Sequence, residues 1–222
     1  MKEKKNTRSK EKKAEWSSDL SPKELHLLEK SQVSLESLIG LMERIVEMND
    51  LYTADHQRRV AKLAVAIARE MGLTAEQTAS VYVAAAIHDI GNVYTPDSIL
   101  NKPERLDQEE LRVARNHAEA SYYMLEKIPW PWPVSRIARQ HHERMDGSGY
   151  PDGLSGEDIL LEARVLAVAD VVEAMTSPRP QRSPLGTDEA LKEISAKRGT
   201  LYDSKVVDAC IRLFTERAFT WS

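Results

Sequence analysis

The chain has 222 residues, 41% of them hydrophobic and 30% charged, which suits one domain with a substantial core. With 31 basic and 35 acidic side chains the net charge is −4, which excludes a global basic surface for duplex nucleic acid. No apolar run approaches the ~20 residues needed to span a bilayer, and the single cysteine, Cys210, excludes an intrachain disulfide framework and a thiolate zinc site.

The opening segment, MKEKKNTRSKEKKAEW, is basic and has no apolar region behind it, so it does not read as a secretory signal. Residues 1–20 are expected to be a disordered basic leader, with a weak tether to an anionic surface as the alternative. Ser21-Pro22-Lys23-Glu24 combines an N-cap, a first-turn proline and a capping-box glutamate, which predicts an N-terminal helix region over residues 21–50. Leu35, Leu38, Leu41, Met42, Ile45 and Met48 recur along it at helical spacing. HQRRVAKLAVAIAREMG, from His56, predicts a second amphipathic helix that stops at Gly72.

Thr74 with Gln77, and Asp107 with Glu110, are capping-box patterns that open two further helices. The first runs into His88-Asp89, two groups that are costly to bury without partners; the second runs toward Leu125. PWPWP, residues 129–133, must be a rigid connector. After it come a short helix to about His142, the glycine-rich loop DGSGYPDG, a helix over 162–175 and two C-terminal helices. No alternating strand pattern occurs, so the expected fold class is an all-α bundle.

Five of the six histidines, His56, His88, His117, His141 and His142, fall within or at the ends of these helices. A lone helical histidine is commonly structural. Five, including an adjacent His-Asp and an adjacent His-His, suit divalent ions, because imidazole supplies nitrogen ligands and a carboxylate can bridge two ions. Asp170 interrupts the apolar RVLAVADVVEAM, where an unpaired carboxylate would be costly.

HDIG, then HHERMDGSGYPDGLSGEDI, then EARVLAVADVVEAMTSPRP together resemble the HD-GYP domains, all-α metal-dependent phosphodiesterases of the bacterial second messenger cyclic di-GMP. The resemblance covers roughly residues 45–217 and implies an HD-domain helical bundle preceded by a leader helix. It implies a metal set of His56, His88, Asp89, His117, His141, His142 and Asp170. His56, His88, Asp89 and Asp170 would hold one ion and His117, His141 and His142 the second, with Asp89 bridging. Two divalent ions, iron or manganese first and zinc, nickel or cobalt as alternatives, would then attract a phosphodiester and acidify a water, with His88 and Asp89 at the catalytic centre. Some relatives carry a glutamate where this chain has Tyr52. The tyrosine favours two ions over three and linear pGpG over GMP as product.

Two positions depart from the usual pattern. Asn92 stands where a lysine usually faces a substrate phosphate, and Gln181 stands where SPRPQRSP usually has tyrosine. Losing one charge-assisted phosphate contact weakens binding by roughly 1–3 kcal/mol. Asn92, Arg179 and Arg182 are the implied substrate-binding residues. The intact Gly149-Tyr150-Pro151 loop implies contacts with partner proteins such as a diguanylate cyclase. The expected protein is a cyclic di-GMP phosphodiesterase of the bacterial cytoplasm, with no membrane span. The leader helix offers an apolar face for a homodimer, and no receiver or other sensory domain is expected in this length. The alternatives are a catalytically weak module that binds metal, nucleotide or a partner, and a phosphohydrolase acting on another nucleotide.

Overall fold

The structure, a computed structural model, describes residues 34–49, 51–178 and 183–221. The leader, the Ser21–Glu24 cap, Arg179, Gln181 and Arg182 lie outside the described residues, as does the side chain of Tyr52. Nine α-helices are described: α1 (Leu35–Asn49), α2 (Leu51–Glu70), α3 (Ala75–Ile87), α4 (Asp97–Leu100), α5 (Gln108–Leu125), α6 (Val134–Gln140), α7 (Leu161–Thr176), α8 (Thr187–Ala196) and α9 (Ser204–Thr215). Two 3-10 turns, Ile90–Tyr94 and Gly156–Asp158, complete the set. No strand occurs among the described residues, so the all-α expectation holds. Residues 39–222 form one compact unit.

Local chemistry places the helix ends where the sequence puts them. Thr74 and Gln77 form a reciprocal capping box at α3, and Asp107 and Glu110 form another at α5. Gly72 ends α2 at φ +73°, a conformation that costs an L side chain but not glycine. On α1 the covered face is narrower than the apolar pattern suggested. Ile39, Met42 and Val46 are buried while Leu41 and Met48 are exposed, because one stripe of a helix can face inward at a time.

The centre of the bundle is α3 and α7, which are apolar on nearly all sides. Val81 and Val83–Ile87 of α3 are buried, as are Ala163 and Val165–Asp170 of α7. Helix α2 packs on both, α6 packs on α3, α5 and α7, and α9 closes the far side with Val206, Val207, Cys210 and Leu213. Burial pushes the Cys210 thiol up to about 12, so it is an inert core residue.

One contact registers α5 against the end of α3. Gly91 donates its N–H to Ser121 Oγ at 2.9 Å, and a Cβ at this glycine would lie 2.2 Å from the His117 carbonyl oxygen. Only glycine allows α5 this close, and the approach brings His117 beside Asp89. Gly91→Ala is therefore expected to cost about 3 kcal/mol or more, from overpacking against backbone. Gly72→Ala, which meets open space, should cost about 1–2 kcal/mol from its positive φ alone. Urea unfolding at fixed metal concentration reads both; a Gly91→Ala loss no larger than that of Gly72→Ala would contradict the close-approach argument.

Candidate metal centre

The helices deliver seven ligand-type side chains to one place. His56 comes from the first half of α2, His88 caps α3 with Asp89 behind it, and His117 comes from α5. His141 caps α6, His142 follows it, and Asp170 sits in α7. His56 Nε2 lies 3.1 Å from Asp170 Oδ1. Asp89 turns one oxygen to each side: Oδ2 is 3.5 Å from His88 Nε2, while Oδ1 is 3.2 Å from His117 Nε2 and 3.6 Å from His141 Nε2. Nε2 of His117 lies 3.1 Å from that of His142 and 3.4 Å from that of His141. The ligand atoms of His56, His88 and Asp170 lie within 4.8 Å of one another, and so do those of His117, His141 and His142.

The imidazoles are oriented by their other nitrogen. Nδ1–H of His88 donates to the Ala85 carbonyl at 2.8 Å, that of His117 to Ala114 at 2.6 Å, and that of His141 to Ala138 at 2.5 Å. Each bond reaches back three residues along its own helix. Because a carbonyl only accepts, the Nδ1 proton is fixed, and it is Nε2 of the neutral ring that presents the lone pair. His56 uses a carboxylate instead: its Nδ1–H donates to Glu173 Oε2. Glu173 is fully buried and also accepts from Arg59 Nε and from the Ser177 hydroxyl, each at 2.5 Å.

The electrostatics favour ligand-ready protonation states. Burial, reinforced by the neighbouring His88 and His117, drives the His141 imidazole down to about 3, so it is neutral at physiological pH. Burial and His141 hold His142 well below its ordinary value too. Burial opposes the Asp170 charge, but the hydrogen bond from His56 together with the charges of His56, His142 and His88 outweighs it and holds the carboxyl well below its ordinary value. At Asp89 burial is likewise outweighed by the ring of imidazoles, and the carboxyl falls below the usual range. His56 is the exception. Burial would neutralise it, yet Asp170 and Glu173 together raise it to about 9. Its Nε2 proton is the one that an ion shared with Asp170 would replace.

Whether these residues fit a metal can be judged on atoms that have no other use. His88 Nε2 and Asp89 Oδ1 are buried without a hydrogen-bond partner. Such orphans cost roughly 1–3 kcal/mol each. The facing Nε2 atoms of His117 and His141 are two acceptors pointed at one another, which a cation between them would convert from repulsion to ligation. The donors are nitrogen and oxygen, the set suited to transition metals such as iron, manganese or zinc.

A cleft of about 510 Å³ opens onto this cluster, lined among others by His56, Asp89, Asn92, His117, His142 and Asp170. The GYP loop forms part of its wall. Tyr150 stacks on His142 with ring centroids 4.7 Å apart and faces the cleft, where sequence reasoning made it a partner anchor. Gly149 is a packing requirement, since a Cβ there would lie 2.4 Å from Glu143 Cα. Pro151 follows through a cis peptide bond. Asn92 also lines the cleft.

Three positioning residues escaped the sequence reading. Glu173 sits one helical turn beyond Asp170, and the argument made for a carboxylate in an apolar helix applied to it equally. Glu143 is buried and accepts three backbone N–H groups, from Asp152 at 2.7 Å, Gly153 at 3.1 Å and Leu154 at 3.0 Å, which holds the GYP loop in place. Gln57, in the amide orientation that satisfies both neighbours, donates to the Ala86 carbonyl and accepts from the Asp89 N–H at 3.1 Å. No local signal marked either of these two.

Glu173→Gln keeps the shape and removes the charge behind His56. We expect it to weaken the first ion bound by the metal-free protein about 10–100-fold, read by competitive Mn²⁺ titration with the fold checked by circular dichroism. Unchanged affinity in a folded variant would show that Glu173 does not orient His56.

A family model described as HD domain matches residues 40–206. The chain is 40% identical over 176 residues to the cyclic di-GMP phosphodiesterase response regulator RpfG of Xanthomonas campestris pv. campestris, covering 78% of this chain and 47% of that protein. It is 37% identical over 180 residues to 3'3'-cGAMP-specific phosphodiesterase 1 of Vibrio cholerae, covering 79% and 41%. The chain thus spans about half the length of the curated relatives it matches. In fold it is similar to an HDG"Y"P protein of Bdellovibrio bacteriovorus, with a TM-score of 0.60 at 20% identity over 72% of this chain and 51% of that one. With its HD, HH and GYP motifs intact, the chain belongs to the HD domain family, in its HD-GYP branch.

Proposed function

We propose that the chain is a binuclear metal-dependent phosphodiesterase that opens cyclic di-GMP to linear pGpG in a bacterial cytoplasm. The observation that carries this reading is Asp89, an ionised carboxylate whose two oxygens face two separate imidazole groups at the floor of an open cleft. The names of the relatives support the substrate class. No helix among the described residues is long and apolar enough to cross a membrane.

His56, His88, Asp89 and Asp170 would hold one ion, and His117, His141 and His142 the other, with Asp89 shared. Bound there, divalent ions supply Lewis acidity toward phosphoryl oxygens and lower the pKa of a water. The protein's part is to keep the site ordered and correctly protonated. His88, His117 and His141 present lone pairs because their Nδ1 protons are committed to carbonyls. Tyr150 is held as a hydroxyl, since burial and the nearby Asp170 and Asp89 push its ionisation up, so it can donate to a substrate oxygen. Asn92, in the lining of the same cleft, can donate a neutral hydrogen bond. Arg179 and Arg182 are proposed to contact substrate phosphates from the segment that follows α7.

The wild-type protein, purified anaerobically and supplied with Fe²⁺ or Mn²⁺, is expected to convert cyclic di-GMP to pGpG and to stop on chelation, read by chromatography of the products. GMP as the only product, or no turnover of any cyclic dinucleotide, would contradict the reading. Asn92 favours a second reading, a module that binds with little turnover. Asn92→Lys should raise kcat/KM about tenfold if the wild type is a working enzyme, as one charge-assisted contact allows. Turnover that is present only in Asn92→Lys would favour the binding module. The relative named for 3'3'-cGAMP makes that dinucleotide the competitor to assay alongside.

A further inference from the structure

The cleft has two guanidinium groups among the described residues of its lining, Arg115 and Arg144. Arg144 is committed: its Nη1 donates to the His141 and Glu143 carbonyls at 3.3 and 2.9 Å, and its guanidinium lies 5.4 Å from the centroid of the Tyr202 ring. Arg115 is exposed on α5, two residues before His117, and takes part in no hydrogen bond or ion pair described here. Its guanidinium lies over Tyr150 at 5.0 Å from the ring centroid, and Tyr150 in turn stacks on His142. The face of an aromatic ring orients a guanidinium without consuming its N–H donors. Arg115 is thus an oriented cation with its donors open, one aromatic layer away from a ligand-type histidine.

A cyclic dinucleotide carries two phosphates across one small macrocycle. If one sits at the ion pair, the other needs a positive partner in the same cleft. Asn92, at the position that usually supplies one, is uncharged. We infer that Arg115 binds the phosphate not being cleaved, and so selects doubly charged cyclic dinucleotides over simple phosphodiesters. The inference rests on the proposed phosphodiesterase reading and adds a substrate-binding residue to it.

Arg115→Met keeps the side-chain stem and removes the charge. Wild type, Arg115→Met and Arg115→Lys, all loaded with Mn²⁺, would be compared on cyclic di-GMP and on bis(p-nitrophenyl) phosphate, which has a single phosphate. Binding of cyclic di-GMP would be measured separately by calorimetry. The ratio of the two kcat/KM values should fall at least tenfold in Arg115→Met, mainly through KM for the cyclic substrate, with partial recovery in Arg115→Lys. Calorimetric affinity should fall in parallel. Equal losses on both substrates, or no loss of cyclic di-GMP affinity, would overturn the assignment. If the wild type cleaves bis(p-nitrophenyl) phosphate but no cyclic dinucleotide, the functional reading fails, and the binding data still judge Arg115. Absence of both binding and turnover in the wild type would overturn the two together.

Discussion

The arrangement that the rest of the structure serves is a set of buried imidazole lone pairs converging on one carboxylate. His88, His117 and His141 each spend Nδ1 on a carbonyl three residues back, so Nε2 of the neutral ring is an acceptor turned toward its neighbours. Left to themselves these acceptors would repel one another and strand Asp89 Oδ1 without a donor. A fold that holds them together must be rigid without their help. The apolar α3 and α7 provide that rigidity, being buried on nearly every side; α3 ends at His88, and α7 carries Asp170 within its length. His88 and His141 cap their helices and His117 lies within α5, and in each case a carbonyl three residues back in the same helix fixes the ring.

Two further buried carboxylates divide the supporting work. Glu173 stands behind His56 and is itself held by Arg59 and Ser177, so the imidazole raised to about 9 is backed by charge instead of a neutral carbonyl. Glu143 points the other way and gathers three backbone N–H groups of the GYP loop, which sets Tyr150 on His142. The loop is thereby part of the cleft and not merely a surface feature. Charge inside the site is consequently uneven. The His56 side carries Asp170 and the Glu173 backing, while the His117 side is made of imidazoles with a share of Asp89.

His88, Asp89 and Asp170 were legible because a histidine or aspartate at or in an apolar run has an energetic cost that calls for an explanation, whereas His56, His117, His141 and His142 lie among polar neighbours and joined the set through the family resemblance. The two capping boxes and Gly72 were legible because their chemistry is confined to a few consecutive residues. Glu173 carried the same signal as Asp170 and was passed over beside it. Gln57 reaches Ala86 and Asp89 from another helix, while Glu143 and Gly149 act across the turn of the GYP loop, and their residue types are ordinary for a loop or a polar helix face. Tyr150 shows the limit most clearly. Its motif marks it as special, but only the folded loop shows that it faces the cleft. On α1, spacing alone identified apolar positions without saying that Ile39, Met42 and Val46 are the covered ones.

The central claim is that Asp89 is shared, so that both ions depend on one side chain. The most direct test is metal stoichiometry by elemental analysis of anaerobically purified Asp89→Asn and Asp170→Asn beside wild type. The account predicts two ions in wild type, one retained in Asp170→Asn, and both weakened together in Asp89→Asn. An Asp89→Asn protein that loses a single ion while holding the other at wild-type affinity would contradict it.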